Sequence, residues 1–172
     1  TASWDAPFFA CSLAFSPDGK TLASGCGGNK VHLWDVATGK NRALLELDHE
    51  FANPLVAFSP NGKMLVSGGA CIADMNVWDA ASGKNVAVLK GYDLYGSRAV
   101  FFSPDGKTLA TVGYHDGVKL WDLKTSKNTA TFKLGEYTPA AAFSPDGRVL
   151  AVGGADKTVQ LWDVGGTTGV DW

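Results

Sequence analysis

Histidine, cysteine and methionine are scarce in this sequence, and no block of like charge or long apolar run occurs. Each shortage excludes something. The three cysteines, Cys11, Cys26 and Cys71, show no C-x-x-C spacing. An odd, unpatterned set argues against a disulfide framework and for reduced thiols, so a cytoplasmic location is expected. A removed leader before Thr1 would leave the same sequence. No apolar segment approaches the ~18 residues needed to cross a bilayer, and no membrane partner is expected. Lysine and arginine (15) nearly balance aspartate and glutamate (17), for a net charge of −2. The lysines recur in turns rather than in one basic face, so no nucleic-acid partner is expected. No stretch carries a sustained helical period.

Catalytic signatures are equally thin. Nucleophilic catalysis needs Ser or Cys, a base and an orienting acid in contact, and G-x-S-x-G is absent. Of the three histidines, His32 falls in an alternating stretch where its sister positions hold Lys119 and Gln160, which predicts a solvent-facing side chain. The glycine-rich runs at 25–28 and 68–69 precede strand patterns rather than helices, so they lack the context of a phosphate cradle. Cys26 and Cys71 occupy equivalent predicted loops without a histidine at zinc spacing. No enzyme activity, cofactor or metal is therefore expected.

What the chain does have is repetition. Phe-Ser-Pro begins at Phe15, Phe58, Phe102 and Phe143, in steps of 43, 44 and 41. Trp-Asp follows at Trp34, Trp78, Trp121 and Trp162, in steps of 44, 43 and 41. Two markers on one period of 40–45 residues, with Trp-Asp closing each unit, point to a β-propeller. Within each unit Pro-Asp-Gly or Pro-Asn-Gly marks a hairpin, because Pro presets φ and the following Gly takes positive φ without strain. A short apolar strand follows, then a glycine-rich loop, then an alternating strand into Trp-Asp. A second turn (Thr38-Gly39, Ser82-Gly83) leads to an outer strand. The repeats span about 1–35, 42–79, 86–122 and 129–163, within a domain of 1–163 and a tail of 164–172. Thr1–Trp4 takes the place of Leu44–Leu47, so the chain opens on an outer strand. The last unit shows none after Trp162-Asp163, and Thr1–Trp4 is the economical source of one.

These units resemble the WD-repeat (WD40) β-propeller family, with near-consensus stretches such as FSPDGKTLA and LWDVATGK in a bacterial style. The resemblance implies an all-β fold of four-stranded antiparallel blades, four per chain, with the N-terminal strand closing the last blade. It also implies a polar network in each blade. Its Trp slots are Trp34, Trp78, Trp121 and Trp162; its hydroxyl slots hold Ser24, Ser67, Thr111 and, as a departure, Val152. The loop acid slots hold Asn29, Asp74, Asp116 and Asp156. Only His49 fills the histidine slot, so a complete set is expected in the second unit alone. Family propellers usually have seven or eight blades. Four blades here close alone, belong to a longer propeller, or pair with a second copy into an eight-bladed ring; the homodimer needs no unusual blade geometry.

Recurring residues build a scaffold, and residues that vary at equivalent loop positions are free to recognise a partner. In the family the loops before the first and third strands emerge on one face at the channel mouth. That face is expected to bind a protein or peptide. Phe8, Phe51, Tyr95 and Tyr137 form a near-regular aromatic set, either anchors at the mouth or wedges between blades. Tyr92, Asp93, Arg98, Tyr114 and His115 have no sisters and are recognition candidates individually. The alternative function is a small-ligand or glycan-binding, lectin-like propeller using the same aromatics.

Overall fold

The computed structural model describes residues 10–48, 53–70, 74–91, 97–113, 117–133, 140–154 and 157–165. The side chains of Ala10, Cys11, Asn53, Ala70, Ser97 and Arg98 are outside that description. Fifteen strands and no helix are present among the described residues. They form four antiparallel sheets in chain order. The first holds β1 (Ala10–Phe15), β2 (Thr21–Cys26), β3 (Lys30–Asp35) and β4 (Asn41–Glu46). The second holds β5 (Asn53–Phe58), β6 (Met64–Ala70), β7 (Asp74–Asp79) and β8 (Asn85–Lys90). The third holds β9 (Ser97–Phe102), β10 (Thr108–Gly113), β11 (Val118–Asp122) and β12 (Lys127–Phe132). The fourth has three strands, β13 (Ala140–Phe143), β14 (Val149–Gly153) and β15 (Val159–Asp163). These are the blades of a propeller. Thr1–Trp4, the expected fourth strand of the last blade, lies outside the described residues.

Most strands run one to three residues further than the apolar pattern predicts. The ladders continue into glycine pairs, as at Ser12–Gly25–Val31 and Leu55–Gly68, where backbone hydrogen bonds need no side-chain packing. Cys26, expected in a loop, is for this reason the buried last residue of β2, with a free thiol.

The register gives each blade two faces. In the first blade, one face carries the rows Phe15–Leu22–Trp34 and Leu13–Ser24–His32–Leu44. The opposite face carries Ala14–Ala23–Leu33–Ala43 and Ser12–Gly25–Val31–Leu45. Three apolar clusters then stack the blades. Val31, Leu33 and Leu45 of the first blade pack with Val56, Leu65 and Trp78 of the second. Val66, Val77 and Leu89 of the second pack with Leu109 and Trp121 of the third. Val112, Val118 and Leu120 of the third pack with Leu150 and Val152 of the fourth. Phe101 meets Phe143 edge-on, with ring centroids 6.4 Å apart, at this last seam. Period-2 alternation thus points one face of every blade forward and the other back. The four sheets do not close into a ring: Leu13, Phe15 and Leu44 on the backward face of the first blade, and Val159 and Leu161 on the forward face of the last, remain exposed.

A repeated polar bond locks three of the blades. The Trp34 indole N–H donates to Ser24 Oγ at 2.8 Å, Trp78 to Ser67 Oγ at 2.8 Å and Trp121 to Thr111 Oγ1 at 2.9 Å. In the fourth blade Val152 replaces the hydroxyl, and the buried Trp162 Nε1 has no partner among the described residues. A buried donor without an acceptor costs about 1–3 kcal/mol. Val152→Thr is therefore expected to stabilise the protein by about 1 kcal/mol in urea unfolding. In a Trp162→Phe background the gain should vanish, because the hydroxyl then has no N–H to receive.

Candidate functional site

The two ends of the sheets carry different chemistry. At one end lie the Ser-Pro-Asp-Gly hairpins and the Trp-Asp turns. Ser16 Oγ donates to Asp18 Oδ1 at 2.6 Å, and the Thr21 amide donates back to Ser16 Oγ at 2.9 Å. The same exchange recurs at Ser103–Asp105 and Ser144–Asp146, and through Asn61 at Ser59. In the second turn Thr38 donates to Asp35 Oδ1 from both its hydroxyl (2.6 Å) and its amide (2.8 Å). Ser82 does so to Asp79 and Thr125 to Asp122. Asp163 lacks that hydroxyl and receives the Gly165 amide.

These bonds settle what the recurring acids can do. The Ser16 hydroxyl, then the Lys20 amide, holds the Asp18 carboxyl below its usual range. Asp105 is lowered by Ser103 and the Lys107 amide, and Asp146 by Ser144 and the Arg148 amide. Asp35, Asp79 and Asp122 are lowered by their Thr or Ser partners. A carboxylate stabilised in its charged form is a poor general acid. Asp105 and Asp146 share a groove of about 270 Å³ between the last two blades with Arg148. Both are tied to their own serines, so the groove holds no acid–base pair of divergent affinity. The matching groove between the first two blades, also about 270 Å³, contains Asp18 and Arg42, whose guanidinium donates to the Ala80 carbonyl at 2.7 Å.

His32 departs from expectation. It is 5% exposed rather than solvent-facing. It shares a face with Trp34, two residues on, and the rings stack with centroids 5.4 Å apart. Its Nδ1 pairs with the Asn41 amide, and Nε2 is buried without a partner among the described residues. Burial, then the nearby Lys30 charge, pushes its pKa down and favours the neutral ring. Among the described residues, no three His, Cys, Asp or Glu side chains converge as metal ligands.

The other end of the sheets is where the loops vary. The register places the start of β1, the end of β2, the start of β3 and the end of β4 together, through Ala10–Cys26–Lys30–Glu46. The loops before the first strands and between the second and third therefore share one end in every blade. Asn29, in the loop acid slot, has φ of 62° and donates through Nδ2 to the Leu47 carbonyl at 2.8 Å. Lys30 and Glu46 pair at 3.8 Å. Lys119 Nζ donates to the Gly91 carbonyl. Phe8, Phe51, Tyr92, Asp93, Tyr95, Tyr114, His115 and Tyr137 lie outside the described residues, as do His49, Asp116 and Asp156. Arg98 belongs to β9 by its backbone. The connections that carry these residues leave the sheets at this same end.

A family model described as WD domain, G-beta repeat, matches residues 3–35, 83–122 and 139–163, more than half of the chain. The chain belongs to the WD40-repeat family. Residues 36–82 fall between the matched segments, yet β5–β8 form the same WD40 blade. Its Phe58–Leu65–Trp78 row aligns with Phe15–Leu22–Trp34 and Phe102–Leu109–Trp121. WD40 repeats generally serve as scaffolds for protein–protein interaction and are typically noncatalytic. The Ser16–Asp18 and Asp35–Thr38 bonds are the physical reason the recurring polar residues of this chain belong to its turns.

Proposed function

We propose that this WD40 protein is a noncatalytic scaffold that binds a protein or peptide through the loop end of its blades, at the channel mouth. One observation carries the reading. The recurring Ser and Asp side chains are committed to turns at one end, while the segments that differ between blades leave the sheets at the other. Tyr92, Asp93, Arg98, Tyr114 and His115 are the recognition residues of this proposal, with Phe8, Phe51, Tyr95 and Tyr137 as apolar anchors. The partner is neither nucleic acid nor membrane, in keeping with the net charge of −2. A reducing, cytoplasmic compartment fits the free, buried Cys26.

Peptides selected from a displayed library on the immobilised protein test the reading. A Tyr92→Ala, Asp93→Ala, Tyr114→Ala, His115→Ala variant should bind them at least about tenfold more weakly, the loss typical of truncated anchors, with an unchanged thermal midpoint. Peptides lost instead on substitution at the turn end would overturn it.

We also propose a two-chain ring of eight blades, each Thr1–Trp4 segment completing the partner's last blade. β15 supports this, since its outer edge has no fourth strand among the described residues.

A further inference from the structure

The two ends of the blade stack differ from its interior at matched positions. Leu13 and Val56 occupy the same row of their blades, opposite Ser24 and Ser67. Val56, covered by the first blade, is 7% exposed, whereas Leu13 is 62% exposed. Phe15 is also 62% exposed, while Phe58, Phe102 and Phe143 in the same slot are half-buried. At the other end, Val159 and Leu161 are 73% and 50% exposed. Their sisters Val31 and Leu33 in the first blade, and Val118 and Leu120 in the third, are buried under the following blade.

The hairpins repeat the signal independently of side-chain burial. A Cβ at Gly62 would lie 3.4 Å from Pro17 of the preceding blade, at Gly106 3.4 Å from Pro60, and at Gly147 3.3 Å from Pro104. Each hairpin glycine thus seats the proline of the blade before it. A Cβ at Gly19, in the first blade, would have nothing within 4 Å among the described residues. Pro145 of the last blade is the proline with no glycine to seat on among these hairpins.

We infer that the forward face of the last blade, with Val159, Leu161 and Pro145, docks on the backward face of the first blade, with Leu13, Phe15 and Gly19, of a second copy of this chain. The occupant follows from chemistry within the molecule. The positions of Val159 and Leu161 pack three times on the positions of Leu13 and Phe15 inside one chain. The exposed ends are the two halves of a fourth such seam. One face offers what the other takes, so the contact is heterologous, and two copies form two identical seams and close. The inference rests on the two-chain reading and adds to it the faces that meet.

Light scattering after gel filtration tests both at once. The chain should run at about 36 kDa, twice its 18.1 kDa. Leu13→Asp and Leu161→Asp are exposed substitutions on opposite ends. Each should weaken dimerisation at least about 100-fold, since a charge enters an apolar seam twice per ring. An unchanged circular-dichroism melt of the blades would show that each variant folds. Mixed together, the two variants should recover a dimer through the one intact seam. A wild-type mass of 18 kDa overturns the two-chain reading and the seam together. A 36 kDa species indifferent to both substitutions overturns the seam and the eight-bladed ring, and leaves only dimerisation through another surface. Loss with one substitution only points to a self-matching contact and overturns the head-to-tail pairing. Species that grow without stopping at 36 kDa overturn closure.

Discussion

Gly25→Ala is expected to be among the most damaging single-methyl changes in this protein. A Cβ there would stand 1.9 Å from the Pro54 carbonyl oxygen and 2.9 Å from its carbon. Both atoms are backbone of β5, paired along its length with β6, so no flexible side chain can move aside. The first two blades would have to part, and the Val56 amide bond to Ser12 Oγ at 3.1 Å lies in the same seam. Overpacking in a well-packed core costs about 1–3 kcal/mol and occasionally more. A backbone clash of this depth belongs at or beyond the upper end. Urea unfolding should show a large fall in midpoint or no folded state. Gly153, at the same repeat position of the last blade, supplies the control. Among the described residues, a Cβ there would meet only the Ala140 carbonyl, at 3.8 Å. Gly153→Ala should cost far less, and equal costs would show that the seam with Pro54 is not what constrains Gly25.

Trp78→Ala should destabilise by about 3–5 kcal/mol, the range for a buried aromatic. Trp78 is buried within the cluster that joins the first and second blades, beside Leu33 and Leu65. Its loss opens a cavity across that seam and strips Ser67 of its indole partner. Ser67→Ala separates the two effects. It leaves the ring in place and orphans the buried N–H, for about 1–3 kcal/mol. Unfolding free energies from urea titration should therefore fall in the order wild type, Ser67→Ala, Trp78→Ala. A Ser67→Ala loss as large as that of Trp78→Ala would assign the seam to the hydrogen bond rather than to packing.

Much of this was legible in the residues alone. Phe-Ser-Pro and Trp-Asp set the period, the hairpins and the four-sheet order, because turn chemistry and period-2 alternation act over a few residues. The mismatch at Val152 was visible too, and the orphaned Trp162 N–H is its consequence. Lysine and glutamine at sister positions of His32 argue for water, yet in the first blade that row is closed by Trp34 stacking and by the Asn41 amide. The asparagine contact recurs in the second blade, where Asn85 donates to the buried Asn76 at 2.6 Å, while the third and fourth blades hold Lys119 and Gln160. Sequence pattern puts Cys26 in a loop because hydrophobic patterning stops before a backbone ladder does. The recognition residues vary between repeats, so periodicity singles them out while saying nothing of their arrangement.

The repeat, the all-β class and the alternating direction of side chains along each strand are local properties, and residues a few positions apart set them. Which of the resulting faces are covered is a matter of packing between blades. Leu161 reads like Leu33 and Leu120, and Leu13 like Val56, because local pattern encodes a side chain's direction. Whether a neighbouring blade stands in that direction depends on where the stack ends, and that is a property of the assembled chain.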